Sequence, residues 1–300
     1  MDKFSQEFSM VNIPSKGEFY SHKKEFLLIK RLTPKEERLL MDNQFMKTAE
    51  GLEILLKSII LDDIDVKELL SGDVQAISLY TMSTSFGDST EIETLCSHCQ
   101  KKNTNIILFS EFKIKNIKQK PDENMIIHAT LPVSGLKVSI RIPNFFDEIK
   151  LSKKTFVEKL ENTIVAINEE KDYKENIKNW SIKDSNYIKK FLKENSPGVD
   201  MSRSFKCAHC SKDYTKEFSS DHNFLTLPET YQDVLDSEMA LLSFHNSGIG
   251  WNDINSMSIA RRRAILRKTI EIAKKFNGQK DDESGIKNKM KYASGRTESK

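Results

Sequence analysis

The side chains best suited to chemistry are four cysteines, which occur in two short and similar stretches. The stretches are LCSHCQKK at 95–102 and KCAHCSKD at 206–213, and they contain every cysteine of the 300-residue chain. Each C-x-x-C turn places two sulfur atoms on one side of a tight bend, which is half of the tetrahedral ligand set of a structural zinc site. Together the turns predict one Zn²⁺ ion bound by Cys96, Cys99, Cys207 and Cys210. Four thiolates leave no open position for water or substrate, so the predicted zinc is structural.

The two cysteine pairs are separated by 107 residues, an insertion longer than that of most zinc ribbons. Closing such a loop rather than one of ~18 residues costs only about 1.6 kcal/mol more, because the closure entropy grows with the logarithm of length. Apparent zinc-binding free energies of roughly 10–16 kcal/mol exceed that cost. Two other interpretations remain open: four ordinary buried thiols, or a redox-active pair of the thioredoxin type. His98 and His209 are predicted to be exposed turn residues that point away from the metal.

The elements that must hold the cysteine turns are predicted to be β-hairpins. TEIETL and TNIILF flank the first pair, and the second pair opens another hairpin. Short alternating strands bounded by turn residues are typical of hairpins. The insertion contains a further predicted hairpin at 125–142, which turns near Ser134 and Gly135. Residues 151–195 are predicted to be helical, with Ser181 and Asp184 as a capping box.

Helices are predicted before and after the hairpins. Thr33 has the N-cap position of a capping box with Glu36, and residues 34–86 keep apolar side chains at helical spacing. Asp73 is the predicted N-cap of the last of these helices, and Gly87 is its predicted end. The C-terminal part of the chain carries a further predicted helix at 258–276.

The resulting fold class is α+β, with small helical units around a zinc-ribbon-like pair of β-hairpins and a mixed β/α insertion between the two cysteine pairs. The predicted organisation is, in chain order, an N-terminal extended arm or strand (1–32), a helical unit (33–88), the first zinc-knuckle hairpin (89–112), an inserted β-hairpin with helices (113–198), the second zinc-knuckle hairpin (199–228), a C-terminal helical unit (229–277) and a disordered tail (278–300).

Composition and motifs argue against several functional classes. The net charge is +3, from 47 basic and 44 acidic side chains, which does not by itself point to a nucleic acid as partner. No apolar run reaches the roughly 18–20 residues of a membrane span, and the N-terminus has no apolar signal region, so a cytosolic compartment is expected. Dinucleotide-binding, Walker A, G-x-S-x-G and H-E-x-x-H patterns are absent from the sequence. We therefore expect no enzymatic activity and no small-molecule substrate.

The predicted partner-binding residues lie in the C-terminal helical unit. Trp251 follows the flexible SGIG turn, and Arg261 and Arg262 belong to ARRRAILRK at 260–268. The helical periodicity places Arg263 near the buried stripe and several other cations outward. Because aromatic side chains and arginine are enriched in interface cores, Trp251, Arg261 and Arg262 are predicted to contact another protein. The alternative is that Trp251 only closes the local pair of helices.

Several motifs follow one another in a specific order. They are IPSKGEFY, IKRLTPKEERLL, LLSGD, the first C-x-x-C, KDSNYIKKFLKENSPGVDM, the second C-x-x-C and LLSFHNSGIGWNDINSMSIARRRAILRK, spread over about residues 11–276. This succession resembles the T-even-type base plate hub proteins of contractile-tailed phages. In related sequences an aromatic-rich stretch follows the second cysteine pair. In those sequences the stretch contains a tryptophan before its proline. The counterpart here, HNFLTLP at 222–228, keeps Phe224 and Pro228 but has no tryptophan.

The resemblance implies a non-enzymatic structural or assembly protein of the phage tail base plate hub, whose partners are other hub or tail proteins. Such a protein is expected in the host cytoplasm during assembly, either as a future virion component or as a chaperone that leaves. The alternative from another class is a cytosolic zinc-ribbon accessory protein that binds RNA or DNA, with steep dependence on salt. A metal-assisted hydrolase would require an open coordination position.

Overall fold

The structure is a computed structural model that describes residues 7–115, 117–170, 177–218, 225, 227–228, 230–245 and 248–276. The tail predicted at 278–300, and Phe224 of the HNFLTLP stretch, lie outside these residues. The helices are α1 (Pro34–Met41), α2 (Ala49–Ile59), α3 (Ser71–Phe86), α4 (Phe145–Leu151), α5 (Phe156–Thr163), α6 (Ile182–Asn195), α7 (Tyr231–His245), α8 (Trp251–Ser256) and α9 (Ile259–Phe276). The strands are β1 (Phe8–Asn12), β2 (Phe26–Lys30), β3 (Ser89–Leu95), β4 (Lys102–Leu108), β5 (Lys113–Ile114), β6 (Ile126–Thr130), β7 (Lys137–Arg141), β8 (Ile164–Ile167), β9 (Val199–Asp200), β10 (Ser202–Lys206) and β11 (Asp213–Glu217).

The α+β class predicted from the sequence is confirmed. In the described residues the strands form small antiparallel sheets, four of two strands and one of three, with the order β6-β7-β8. Among these residues, no helix combines the length and apolar character that a membrane crossing needs.

The N-terminal segment forms a two-stranded sheet in which β1 pairs with β2. The inward side chains Val11, Leu27 and Ile29 are buried, so this sheet is part of the main core. The following helix α1 begins as predicted. The backbone N–H of Thr33 donates to Glu36 Oε2 at 2.9 Å, which satisfies one donor at the helix entry.

The prediction that Asp73 caps the next long helix is wrong. The N-cap is Leu70, and α3 begins at Ser71, two residues before Asp73. Asp73 lies inside the first turn and is fully buried, and its carboxylate accepts hydrogen bonds from the Ser15 backbone and the Tyr20 hydroxyl. The Tyr20 oxygen in turn accepts from the Leu70 backbone N–H at 2.8 Å. Burial raises the pKa of Asp73, and the hydrogen bonds oppose that shift. The helix ends at Gly87 as predicted, where φ is +108°.

The insertion contains the predicted hairpin, formed by β6 and β7. The prediction that residues 151–195 are helical is confirmed for α5 and α6 and is wrong between them, because Ile164–Ile167 forms the strand β8 on the free edge of β7. Ile164 and Ile167 are buried in the main core, and such β-branched residues favour a pleated, half-buried surface.

Ser181 caps the last helix of the insertion as predicted. Its hydroxyl accepts from the Asp184 backbone N–H at 3.0 Å. The Asp184 carboxylate does not complete the predicted box and accepts instead from the backbone N–H groups of Val133 and Ser134 in the β6–β7 turn. The helix is thereby tied to the inserted hairpin.

The core is divided unequally. The main apolar core extends from Val11 to Ile259 and includes side chains of the N-terminal sheet, the inserted sheet and the C-terminal helices. A separate small cluster contains Cys96, Cys207 and Tyr214. The two cysteine hairpins therefore meet around their own small core.

Candidate metal centre

The cysteines lie on the turns of two hairpins, β3–β4 and β10–β11, as predicted. The two turns are built alike. Gln100 and Ser211 hold equivalent positions, each with φ of +58°, and their backbone N–H groups donate at 3.0 Å to the carbonyls of Cys96 and Cys207. A residue in the left-handed region tightens each turn enough to bring both of its sulfur atoms to one side.

The four sulfur atoms converge. Cys96 Sγ lies 3.8 Å from Cys210 Sγ, Cys99 Sγ lies 3.6 Å from Cys207 Sγ, and all four atoms fall within 4.8 Å of one another. Zinc–sulfur bonds of about 2.3 Å in a tetrahedron place neighbouring sulfurs about 3.8 Å apart. Within the described residues, this is the one convergent group of three or more potential metal ligands. The spacing fits a tetrahedral metal.

The electrostatics of the four thiols also favour a cation. Burial raises the pKa of the Cys207 thiol, but the backbone N–H groups of Cys210 and His209 and the Cys99 thiol outweigh burial and lower that pKa to about 6. The Lys212 backbone N–H lowers the pKa of Cys210, but burial and the other three thiols outweigh it and raise that pKa to about 11. Four sulfur atoms this close do not all ionise by themselves, and a soft or borderline cation removes the conflict.

The structure gives the two histidines of the turns a role that the sequence did not reveal. Both are exposed, as predicted, but each side chain reaches the opposite hairpin. His98 Nε2 lies 3.0 Å from the Asp213 carbonyl, and His209 Nε2 lies 3.1 Å from the Lys102 carbonyl. The shared C-x-H-C pattern was the available signal, but only the facing turns show what the histidines contact.

Polar side chains behind the sulfurs join the hairpins further. The Tyr214 hydroxyl lies 2.6 Å from Thr94 Oγ1 and accepts from Asn105 Nδ2 at 3.0 Å. Asn103 Oδ1 accepts from the Ala208 backbone N–H at 2.9 Å. Contacts of the protein itself therefore hold the two cysteine pairs in place, although the pairs are far apart in sequence.

Comparison with known protein families identifies one that matches most of the chain. The family described as T4 bacteriophage base plate protein matches residues 7–226, nearly three quarters of the chain, including both cysteine hairpins. The chain belongs to this family. The resemblance noted in the sequence is thereby confirmed for the base plate family. No curated protein and no solved structure matches the chain.

The C-terminal helices of this base plate protein lie beyond the family match. Trp251 is the first residue of α8 and is 51% exposed, and Arg261 is exposed on α9. Both are placed where another protein can reach them. Arg262, predicted as a partner contact, is instead fully buried within its own chain. The assignment of Arg262 to an interface is therefore wrong. The buried stripe of α9 includes Arg262, whereas Arg263, which was predicted to lie near that stripe, is half-buried.

A closed polar network surrounds Arg262 in this base plate protein. Arg262 donates to both carboxylate oxygens of Glu37, at 2.7 and 2.8 Å, and to Glu238 Oε2 at 2.9 Å. Arg263 donates to Glu238 Oε1 at 3.0 Å and to the Tyr231 hydroxyl at 2.9 Å, and that hydroxyl donates to Glu37. Bidentate arginine–carboxylate pairs of this kind fix geometry strongly. The network joins α9 to α1 and α7.

Proposed function

We propose that this base plate protein is a structural and assembly component of the hub of the base plate. It acts by stoichiometric binding to other hub or tail proteins and has no catalytic turnover. The observation that supports this most is the family match over residues 7–226. The converging sulfurs add to it, because four thiolates saturate a tetrahedral metal and leave no position for an activated water.

The metal centre is proposed to hold one structural zinc per chain, bound by Cys96, Cys99, Cys207 and Cys210 in a zinc-ribbon arrangement. When bound, zinc offsets two of the four thiolate charges and fixes the distance between the hairpins. The protein's own residues set the orientation. The backbone N–H groups of His98 and His209 point at the sulfurs of Cys96 and Cys207, each at 3.4 Å.

The partner surface is proposed to include Trp251 and Arg261. A further exposed aromatic side chain supports this choice, because Phe244, near the end of α7, is 83% exposed. Large aromatic side chains with an accessible arginine have the composition of binding hot spots. The C-terminal helices thus offer a contact surface, while the cysteine hairpins stabilise the part of the chain that the family shares.

The test is complementation of a phage whose copy of this gene is disabled. Infected cells should accumulate incomplete base plates, separable by sedimentation, and the wild-type protein should restore complete ones. Cys207→Ser should restore fewer. Ser97→Ala is the matched control, because Ser97 holds in the first turn the position that Ala208 holds in the second.

Three outcomes would contradict the proposal. Complete base plates in the absence of the protein would exclude an assembly role. Purified, metal-loaded protein that degrades peptidoglycan, and loses that turnover on substitution of a residue other than cysteine, would show an enzyme. Full zinc content in Cys207→Ser would exclude the four-thiolate site.

A further inference from the structure

The backbone groups of β1 divide between the two edges of the strand. At one end the Arg31 N–H donates to the Glu7 carbonyl at 2.9 Å, and at the other the Ile13 N–H donates to the Glu25 carbonyl at 3.1 Å. Hydrogen-bonded and non-hydrogen-bonded pairs alternate along an antiparallel ladder. The odd-numbered residues of the strand therefore direct their backbone groups toward β2.

The even-numbered residues of β1, Phe8, Met10 and Asn12, consequently direct their N–H and C=O groups to the outer edge. No other described residue bonds these backbone groups. They form three hydrogen-bonding positions at intervals of two residues, which is the spacing that an added strand requires.

The opposite edge of the same sheet is covered. On β2, the Leu28 N–H donates to the Asp62 carboxylate at 2.6 Å, and the Leu28 carbonyl accepts from the Leu61 N–H at 2.8 Å. Asp62 and Leu61 thus occupy the positions that a further strand would use, so the edge that remains available is that of β1.

The available edge lacks the features that commonly prevent strand pairing. Natural edge strands are often protected by charged residues, proline or bulges. The sequence of β1 is FSMVN, with no charge and no proline, and its register with β2 is regular. Phe8 is 51% exposed and Met10 57%, and Phe26 on β2 adds a third exposed apolar side chain to the same face of the sheet.

We propose that the outer edge of β1 binds β1 of a second copy of this chain, in antiparallel orientation about a two-fold axis at Met10. Phe8 then lies opposite Asn12 of the second copy, and Met10 lies opposite its own counterpart. All three outward positions are satisfied by the same three positions of the second copy, as an isologous contact requires. The result is one four-stranded sheet in the order β2-β1-β1-β2.

Charge supports a second copy as the occupant. Because Phe8–Asn12 carries no charged side chain, self-pairing brings no like charges face to face, which would otherwise be unfavourable. The exposed face also continues across the junction, since Met10 is flanked by Leu28 in its own chain and meets Met10 of the second copy. This inference does not depend on the proposed hub function.

The expected dimer is reversible. Two five-residue strands with a few apolar side chains bury less than the ~1,200 Å² of a typical stable interface. The full-length protein should therefore show a sedimentation mass that rises with concentration from 34.6 kDa toward twice that value.

Amide hydrogen exchange followed by NMR gives the more specific test. At high concentration the amides of Phe8, Met10 and Asn12 should gain protection, while those of Ser9 and Val11 should be protected at every concentration. This alternation is a signature that a dimer through any other surface would not produce.

Substitutions at Met10 separate backbone pairing from side-chain packing. Met10→Pro removes an outward N–H and none that bonds β2, and proline is tolerated on an edge strand in that position. It should abolish dimerisation while the melting temperature changes little. Met10→Ala, the matched control, keeps the N–H and should weaken the dimer less. Should Met10→Pro fail to fold, Met10→Lys, which places two charges at the axis, replaces it.

A monomer of constant mass at every concentration would overturn the proposal. A dimer that survives both Met10→Pro and Met10→Lys would also overturn it, because another surface would then be responsible. Protection of the three outward amides only on addition of a different base plate protein would show that the second copy is the wrong occupant.

Discussion

Replacing Arg262 with methionine tests whether the buried polar network holds the C-terminal helices to the rest of the chain. The guanidinium is fully buried and donates to both Glu37 and Glu238. Methionine keeps much of the apolar length of arginine but provides no donor. In the variant, the carboxylate of Glu37 stays buried and retains only the Tyr231 hydroxyl from this network.

The expected loss of stability is large. Removing one partner of a buried ion pair costs roughly 3–5 kcal/mol, because an uncompensated charge is left in the interior. Unfolding free energies of whole domains are typically about 5–15 kcal/mol, so the substitution removes a substantial fraction. Arg261→Met is the matched control on the same helix. Since Arg261 is exposed, its substitution should change the unfolding free energy by no more than about 0.5 kcal/mol.

Urea unfolding followed by circular dichroism measures the difference. Adding Glu37→Gln to the Arg262→Met protein should recover part of the lost stability, because a neutral amide is less costly to bury than an unpaired carboxylate. If Arg262→Met costs no more than Arg261→Met, the network does not stabilise the fold and the reasoning is refuted.

Three further predictions concern the metal, the pH dependence and the partner surface. Cys207→Ser should reduce bound zinc from one per chain to none and lower the melting temperature, as measured by elemental analysis and calorimetry; unchanged values would contradict it. Burial and the nearby Glu37 carboxylate raise the pKa of Tyr231 in the folded protein. The stabilisation that Tyr231 contributes to the folded state is therefore present below pH about 10 and is lost as the pH rises above that value. Tyr231→Phe should therefore flatten the alkaline fall of unfolding free energy by about 1.4 kcal/mol per pH unit, and parallel curves for the two proteins would argue against it. Trp251→Ala and Arg261→Ala should weaken co-sedimentation with base plate intermediates more than they weaken folding, and full retention of binding would leave these residues without a partner role.

The convergence of the four cysteines was largely predictable because its determinants are local. Each C-x-x-C turn is specified by a few adjacent residues between alternating strands, and the duplicated pattern relates two hairpins that are far apart in sequence. The reciprocal contacts of His98 and His209 were not predictable, because they depend on how the hairpins face one another. Zinc itself stays a prediction.

The parts of the fold that sequence patterns missed depend on distant partners. The strand Ile164–Ile167 is a short apolar run between helical segments, and only the free edge of β7 makes it a strand. Asp73 has the residue type of a helix cap, but Tyr20 and Ser15, more than 50 positions earlier, provide its hydrogen bonds inside the helix. Arg262 and Arg263 are one residue apart on the same helix, and Glu37, 225 residues away, decides which of them is buried.

The convergence of Cys96 and Cys99 with Cys207 and Cys210 has a mechanical consequence. A metal bound there connects two points of the chain directly, so tension applied from outside the two hairpins passes through the metal–sulfur bonds and bypasses the 107 residues between the pairs. Fully extended, that insertion would lengthen the chain by roughly 370 Å. Such a connection keeps the inserted sheet and helices unloaded while tension passes directly between the two hairpins.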